Sequence, residues 1–242
     1  MRLSSLAAVS LAVAVSNAGA LTLYDPAGGL PSAQGWTTLV FGAGANESVS
    51  AGTYKLNTTG AGVVLWGNSQ ISATPLNTGS GFDLSFSLKI DSETHSSVNR
   101  AGYSVVVVGA DPTKALELSF WATNIWAQDY DASQPDRFVH GPDVRFNTTA
   151  ALTTYTLAVR NQQFTLSASS AVLLSGSFRD YTLGGAPYTT PNFLFFGDNS
   201  SRGTATSQMG FVTLTAVPEP ASLLLFAAGA TVLAWRRRRF RA

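Results

Sequence analysis

The residues best suited to ligand chemistry lie between positions 121 and 130. Trp121, Trp126 and Tyr130 stand there beside the carboxylate of Asp129. Sugar rings present apolar C–H faces and hydroxyl edges, so rigid aromatic rings flanked by carboxylate and amide groups suit carbohydrate recognition. The alternative is that both tryptophans belong to a packed core, and the exposure of Trp126 distinguishes the two interpretations. These four residues form our candidate ligand-binding set.

Three carboxylates in the same region, Asp129, Asp131 and Asp136, could supply hard oxygen ligands to Ca²⁺. Their spacing lacks the glycine and the terminal glutamate of an EF-hand loop. A second oxygen-rich loop follows at residues 198–201. In both places a turn closed by hydrogen bonds to an aspartate side chain is the simpler expectation. We therefore expect no cofactor, and keep the three aspartates as the candidate metal ligands.

Acid–base catalysis finds little support among the carboxylates. A glycoside hydrolase needs two of them facing each other across a groove. Glu117 lies on an alternating stretch, with its side chain opposite those of its two leucine neighbours. Glu93 lies in a polar stretch that we expect to be a solvated turn. A more distant pair of carboxylates is left open.

Nucleophilic catalysis has no recognisable constellation either. The chain contains no cysteine and no Gly-x-Ser-x-Gly sequence, which marks the nucleophile of many hydrolases. Its two histidines, His95 and His140, are expected in surface loops. These observations predict that the protein is not an enzyme.

The elements that must position these residues are almost all β-strands. Residues 82–90 alternate apolar and polar side chains, which is typical of a strand with one buried face. Residues 105–108 are four consecutive valines, which suit a strand covered on both faces. The predicted strands span residues 82–90, 101–109, 115–121, 155–160, 164–169, 172–178, 193–197 and 211–215, with weaker candidates at 36–41, 52–56 and 63–66.

Short turns separate these strands. Asn161-Gln162-Gln163 and Ser169-Ser170 are each expected to close a hairpin. Many short strands between turns rich in Gly, Ser, Thr, Asn and Pro predict an all-β fold, a two-sheet antiparallel sandwich or jelly roll. We place it in one domain, residues 21–216.

The N-terminus has the three parts of a secretory signal peptide. Arg2 precedes an apolar stretch at residues 6–15, and the small residues Ala18 and Ala20 flank Gly19. The apolar stretch is too short to span a bilayer. We predict that residues 1–20 form a signal helix, that the Sec translocon exports the chain, and that signal peptidase cuts after Ala20.

The C-terminus, residues 217–242, combines three features in order. Pro218-Glu219-Pro220 is expected to be extended, since proline disfavours helix at itself and at the residue before it. An apolar run at residues 223–234 follows and is predicted to be a transmembrane helix. The positive-inside rule places its terminal arginine cluster in the cytoplasm. The cluster comprises Arg236, Arg237, Arg238, Arg239 and Arg241.

This tail resembles the PEP-CTERM sorting signal of Gram-negative bacteria that make extracellular polysaccharide. The resemblance rests on Pro218-Glu219-Pro220, the apolar helix and the arginine cluster. It implies recognition by an exosortase, a membrane-embedded protease or transpeptidase that cuts near the Pro-Glu-Pro motif. The protein would be anchored transiently in the inner membrane, with its domain in the periplasm, before it reaches the cell surface or the medium. A permanent anchor is the alternative.

Residues 80–215 resemble the concanavalin A-like, or laminin G-like, sandwiches of bacterial surface proteins, particularly the choice-of-anchor type. The resemblance rests on the strand at 82–90, the stretches 101–111 and 116–121, the meander at 155–176 and the element at 192–198. Such sandwiches include binders, hydrolases and spacers, so the resemblance implies a fold and not a function.

The charge of the sandwich restricts its partners. Residues 21–216 hold nine basic and thirteen acidic side chains, a formal charge of −4, which disfavours nucleic acid. Our first hypothesis is an exosortase-sorted surface or matrix protein without enzymatic activity, associated with extracellular polysaccharide. The second is a carbohydrate-binding module, and the third is a glycosidase that acts through Glu117.

Overall fold

A computed structural model describes residues 19–41, 44–60, 65–133 and 137–217. In these ranges the chain forms fifteen strands and three short 3₁₀ turns. The strands are β1 Leu21–Tyr24, β2 Thr37–Phe41, β3 Asn46–Ser50, β4 Thr53–Asn57, β5 Leu65–Ile71, β6 Phe82–His95, β7 Ser104–Val108, β8 Ala115–Phe120, β9 Asn124–Tyr130, β10 Phe138–Arg145, β11 Thr153–Arg160, β12 Gln163–Ala168, β13 Ala171–Ser177, β14 Phe193–Asp198 and β15 Gly203–Ala216. The 3₁₀ turns are Pro26–Gly28, Pro31–Gln34 and Thr182–Gly184.

The strands form two antiparallel sheets that pack face to face, as the sequence predicted. The eight-stranded sheet has the order β13-β12-β11-β6-β15-β4-β3, and β1 also pairs with β15. The seven-stranded sheet has the order β10-β9-β8-β7-β14-β5-β2. Neighbours distant in sequence, such as β6 and β15, pair at the centre, which gives the sandwich a jelly-roll-like topology.

The core lies between the two sheets and follows from the alternation in β6. Phe82, Leu84, Phe86, Leu88 and Ile90 are all buried. Each such side chain stabilises the fold by roughly 1.5–3 kcal/mol relative to an exposed one. The ring of Phe86 contacts aromatic rings from both sheets, and its partners are Tyr155, Phe120 and Phe196.

The two predicted hairpin turns are confirmed. Asn161 and Gln162 have φ of 51° and 63°, and Ser169 and Ser170 have φ of 49° and 67°. Two consecutive residues of positive φ make a turn whose twist matches that of the flanking strands. These turns join β11 to β12 and β12 to β13.

Several sequence predictions about the elements are wrong. Asp129 and Tyr130 do not lie in a loop, because β9 continues through them and pairs with β10. His95 and His140 also lie in strands, at the end of β6 and within β10. The sequence pattern does not reveal β10, because a register shift between His140 and Asp143 interrupts its pairing with β9 and the alternation of its side chains.

The terminal predictions fall outside the part of the chain that the structure describes. Residues 1–18 and 218–242 contain the segment predicted to be a signal helix, Ala18, the Pro-Glu-Pro motif, the apolar run and the arginine cluster. Ala20 is described and exposed, immediately before β1. Within the described ranges, no helix has the length and apolar character needed to cross a membrane.

Candidate functional site

Trp126, a central member of the candidate ligand set, lies on the outer face of the seven-stranded sheet. Ile125 and Ala127 of β9 belong to the core between the sheets. Because side chains alternate along a strand, Trp126 and Gln128 point to the opposite face. Ser119 of β8 lies directly across from Trp126. The site is therefore built outside the inter-sheet core, on strands that the core holds in place.

Four aromatic rings pack against one another on this face, and we call them the aromatic column. The imidazole of His95 lies 4.1 Å from the ring of Trp121 at an interplanar angle of 6°. Trp121 meets Trp126 edge to face at 4.5 Å. Trp126 in turn stacks on His140 at 4.3 Å and 11°. The column thus joins the end of β6 to β9 and β10.

The loop between β6 and β7, residues 96–103, holds the column in place. The indole Nε1 of Trp121 donates to the carbonyl of Arg100 at 2.9 Å. The backbone N–H of His140 donates to Oδ1 of Asn99 at 2.9 Å, and its Nδ1 lies 2.9 Å from the carbonyl of Val98. Three consecutive residues of one loop therefore fix two of the four rings.

The exposure of the rings decides which of them a ligand can reach. Trp126 is 0% exposed, and its Nε1 has no hydrogen-bond partner. Trp121 is half-buried, while the side chains of His95 and His140 are 32% and 23% exposed. For Trp126 the packing interpretation is therefore the correct one, and this ring supports the surface from beneath, while solvent meets Trp121 and the two imidazoles.

Asp129 and Tyr130 are not brought into this column. Asp129 points to the other face of β9 from Trp126, and its Oδ1 accepts from Nε of Arg179 at 2.9 Å. Tyr130 packs edge-on against Phe138 at 5.3 Å. The structure thus brings together the two tryptophans of the candidate set and separates the other two residues from them.

Glu93 and His95 form a polar pair at the exposed end of the column. Nδ1 of His95 lies 3.0 and 3.1 Å from the two carboxylate oxygens of Glu93. The Glu93 side chain is only 3% exposed, and burial raises the pKa of its carboxyl. The expected solvated turn is wrong here, because β6 continues as far as His95. The carboxylate fixes the orientation of the exposed imidazole.

A second polar group is buried on the same face around Glu117. This residue is 1% exposed, and its carboxylate accepts from Oγ of Ser104 at 2.9 Å and from the hydroxyl of Tyr188. Nδ2 of Asn199 donates to the same hydroxyl at 2.8 Å. Burial and the nearby carboxylate raise the pKa of Tyr188 well above its ordinary value. The partners come from segments far apart in sequence, so no local pattern could reveal the network.

Asp198 is a third buried carboxyl, at the end of β14. Its Oδ1 accepts from the backbone N–H of Ser200 at 3.0 Å, which is the aspartate-closed turn that the sequence predicted. Its Oδ2 is buried without a partner. Burial raises the pKa of this carboxyl to about 8; hydrogen bonds from the side chain of Thr58 and the N–H of Ser200 offset only part of that effect, and the nearby Glu93 adds to it.

A surface cavity of about 310 Å³ opens beside His95, between the end of β6 and the start of β15. Hydroxyls, an imidazole and a guanidinium line it, from Thr94, His95, Ser96, Ser201, Arg202, Gly203 and Thr204. The backbone N–H of Ser96 donates to the carbonyl of Arg202 at 2.8 Å, which ties its two walls together. The cavity and the column share His95.

The candidate metal ligands make other contacts. Oδ1 of Asp131 accepts from the backbone N–H and the Oγ of Ser133 at 2.9 and 2.6 Å. Asp129 pairs with Arg179, and Asp136 lies outside the described residues. In the ranges that the structure covers, no three His, Asp or Glu side chains are grouped as a metal site.

The end of the sandwich coincides with the start of a known sorting motif. The chain matches the PEP-CTERM protein-sorting motif over residues 216–239. This chain carries a PEP-CTERM sorting motif. The match begins at Ala216, the last residue of β15, and includes the Pro-Glu-Pro sequence and the first four residues of the arginine cluster. A comparison with curated protein sequences finds no match.

Solved structures similar to the sandwich share its fold at low sequence identity. A carbohydrate esterase from the Shiga toxin-encoding bacteriophage phi24B has a TM-score of 0.57 and 13% identity, over 83% of this chain and 100% of that one. The β-glucanase of Bacillus licheniformis has a TM-score of 0.49 and 11% identity, over 83% and 99% of the two chains. The exoplasmic/lumenal domain of VIP36 gives 0.47 and 10%, over 81% and 92%. At 13% identity the match to the esterase shows a shared fold alone, and the two matches with TM-scores below 0.5 support no conclusion about the sandwich.

Proposed function

We propose that this chain is an exosortase-sorted protein of the cell surface or extracellular matrix, and that its sandwich has no enzymatic activity. The observation that carries the proposal is the sorting motif at residues 216–239, which begins where the last strand ends. Such a motif indicates a protein that is exported, anchored and then processed by an exosortase.

The proposed sequence of events follows from the order of the segments. The Sec translocon exports the chain, and signal peptidase removes residues 1–20. The apolar run at 223–234 holds the chain in the inner membrane, with the arginine cluster on the cytoplasmic side. The exosortase then cuts near residues 218–220, and the sandwich enters the extracellular polysaccharide layer.

The boundaries of the sandwich support both processing steps. β1 begins at Leu21, directly after the proposed signal peptidase site. At the other end the backbone N–H of Val217 donates to the carbonyl of Gly81 at 3.1 Å. Cuts after Ala20 and after Val217 would therefore leave every strand of the described sandwich intact.

The burial and the hydrogen bonds of Glu117 and Glu93 support the proposal that the sandwich is not an enzyme. A glycosidase needs carboxyl groups that reach the glycosidic bond. Glu117 is 1% exposed and bonded to Ser104 and Tyr188, and Glu93 is turned inward onto His95. Turnover of a polysaccharide that disappears on Glu117→Gln would contradict this part of the proposal.

Replacement of the sorting motif tests the proposal in cells. The variant that replaces residues 218–220 by alanine is expected to stay in the membrane fraction at full length, while the wild type leaves it. A strain without its exosortase should reproduce that result with the wild-type chain. Release of the alanine variant at the wild-type level would argue against exosortase sorting.

A second candidate function, carbohydrate binding, is favoured by the aromatic column. Trp121 and two imidazoles are reachable there, next to a polar cavity. We expect binding on a glycan array that is lost in Trp121→Ala and kept in Leu183→Ala, a control at an exposed residue away from the column. An array without any bound glycan would count against this function and leave exosortase sorting unaffected.

A further inference from the structure

We propose that one end of the sandwich is the surface that meets the membrane-embedded sorting protease, and that the aromatic column faces away from the membrane. We call this surface the turn end, and define it by residues 77–81, residues 161–163 and Val217. The proposal rests on the proposed function, because it assumes that the apolar run lies in the membrane beside the protease.

The last described residue leaves the fold at the turn end. Ala216 pairs with Phe82 at the final position of the β15–β6 ladder, and Val217 is bonded to Gly81. The neighbouring turn is tied to the same place, since the N–H groups of Asn161 and Gln162 donate to residues 79 and 78 at 3.1 and 2.7 Å. The turn end is therefore a hydrogen-bonded surface from which the tail emerges.

The tether between this surface and the apolar run is short. Five residues, 218–222, separate Val217 from Leu223. Even fully extended, this stretch spans only about 20 Å. β15 has fourteen residues and is roughly 45 Å long. The tether therefore keeps the turn end within about 20 Å of the start of the apolar run, whereas the opposite end can lie roughly 45 Å further away.

The N-terminal junction lies at the same end and restricts the orientation further. Leu21 pairs with Leu214, two residues before the end of β15. Ala20 and Val217 therefore both leave the described sandwich at the turn end.

The aromatic column and its cavity lie at the other end. β6 runs from Phe82 at the turn end to His95, which pairs with Gly203 at the start of β15. His95 and Arg202 are therefore separated from Val217 by the full length of the central strands. An anchored molecule would present these residues to the periplasm, on the side away from the inner membrane.

The chemistry of the turn end fits a protein surface better than a lipid surface. Amides, glycine and a hydroxyl make up most of it, from Asn77, Gly79, Ser80, Asn161 and Gln162. The nearest charges are paired, since Arg160 lies 2.8 Å from Asp83. Anionic lipid headgroups attract clusters of lysine and arginine, which residues 77–81 and 161–163 lack. Amides and hydroxyls can instead form hydrogen bonds with a protein partner.

The absence of cysteine from the sequence makes the orientation measurable. A single cysteine at Gln163 or Ser80 places a photo-cross-linker on the turn end, and one at Ser201 places it at the opposite end as a matched control. Gln163 and Ser201 are both exposed. The full-length variants are expressed with an active-site variant of the sorting protease, which holds the substrate without cutting it.

Cross-links to the protease are expected from Gln163 and Ser80 and absent from Ser201. Equal cross-linking from both ends, or cross-linking from Ser201 alone, would overturn the proposal. Cross-links from Gln163 to lipid only would assign the turn end to the bilayer instead. If the wild-type chain is not cut when the active protease is present, exosortase sorting itself is refuted. The mass of its C-terminus shows that outcome separately.

Discussion

At the scale of single residues, three carboxyl groups of the described sandwich are buried. Glu93, Glu117 and Asp198 are all carboxyls with little or no access to water. Glu117 has two hydroxyl donors, while Asp198 has one buried oxygen without a partner. Burial without a full set of hydrogen-bond donors favours the neutral form of a carboxyl. We therefore expect the protonation of Asp198 to link pH to stability more directly than that of the other two.

Asp198→Asn is expected to stabilise the protein at high pH. The pKa of Asp198 rises from 3.8 to about 8 on folding, so the unfolded chain loses this proton at lower pH than the folded one. The contribution of Asp198 to the free energy of unfolding therefore falls as pH rises from about 4 to about 8 and then levels off. The variant should lack that decline and gain up to a few kcal/mol at about pH 9, measured by urea denaturation.

The matched control for this experiment is Asp111→Asn. Asp111 is exposed, and hydrogen bonds from Thr113 lower the pKa of its carboxyl. Its replacement should act in the opposite direction, removing a small stabilisation that is present above its ordinary pKa. If Asp198→Asn leaves the pH profile of the wild type unchanged, Asp198 is not the buried carboxyl described here.

Trp126 is buried more deeply than Trp121, so its replacement by alanine should lower the free energy of unfolding more. Trp126 is 0% exposed between Trp121 and His140, so Trp126→Ala leaves a cavity and should cost about 3–5 kcal/mol of unfolding free energy. Trp121→Ala removes a half-buried ring and should cost less. Urea denaturation of both variants measures the difference. Comparable losses, or a tolerated Trp126→Ala, would be at odds with the column as described.

At the scale of elements, strands with regular alternation were predictable and irregular ones were not. The pattern of residues 82–90 identifies the inner face of β6, although the strand continues to His95. β9 was missed because polar Gln128 and aromatic Trp126 are buried on its outer face, under a loop that no local pattern reveals. Sequence alone could bring Trp121 and Trp126 together. It could not add His95 and His140, since those contacts depend on the β6–β7 loop and on β10.

The β6–β7 loop depends on a close approach of two backbones, which Gly102→Ala tests. A methyl group at Gly102 would lie 2.1 Å from the carbonyl carbon of Thr204, at the start of β15. The loop or β15 must shift, and the expected loss is about 1–3 kcal/mol or more. Gly79→Ala is the control, because its nearest contact would be a side-chain atom at 3.2 Å. Equal thermal unfolding temperatures for the two variants would disagree with this packing.

At the scale of the whole molecule, the sandwich and the sorting segment are adjacent but separable. The fold closes at Val217, and the sorting match begins at Ala216. The precursor has a formal charge of +1, whereas residues 21–216 alone carry −4. Processing at both ends would therefore turn a nearly neutral precursor into an acidic surface protein.

A chain of residues 21–217 should fold as the full-length protein does. All fifteen described strands lie within it, so we expect the same β-sheet circular dichroism spectrum and a midpoint of thermal unfolding within a few degrees. Extending the chain to residue 222 provides the control for the exact end point. A disordered product would show that the boundary at Val217 is wrong and that the sandwich needs part of the tail.

The most direct test of the central claim is mass spectrometry of both termini of the mature protein from its host. Exosortase sorting predicts an N-terminus at Leu21 and a C-terminus near residues 218–220, with or without an attached surface component. The same strain without its exosortase should yield a chain that still ends at Ala242. A mature protein that retains residues 221–242 in the presence of the exosortase would contradict the account.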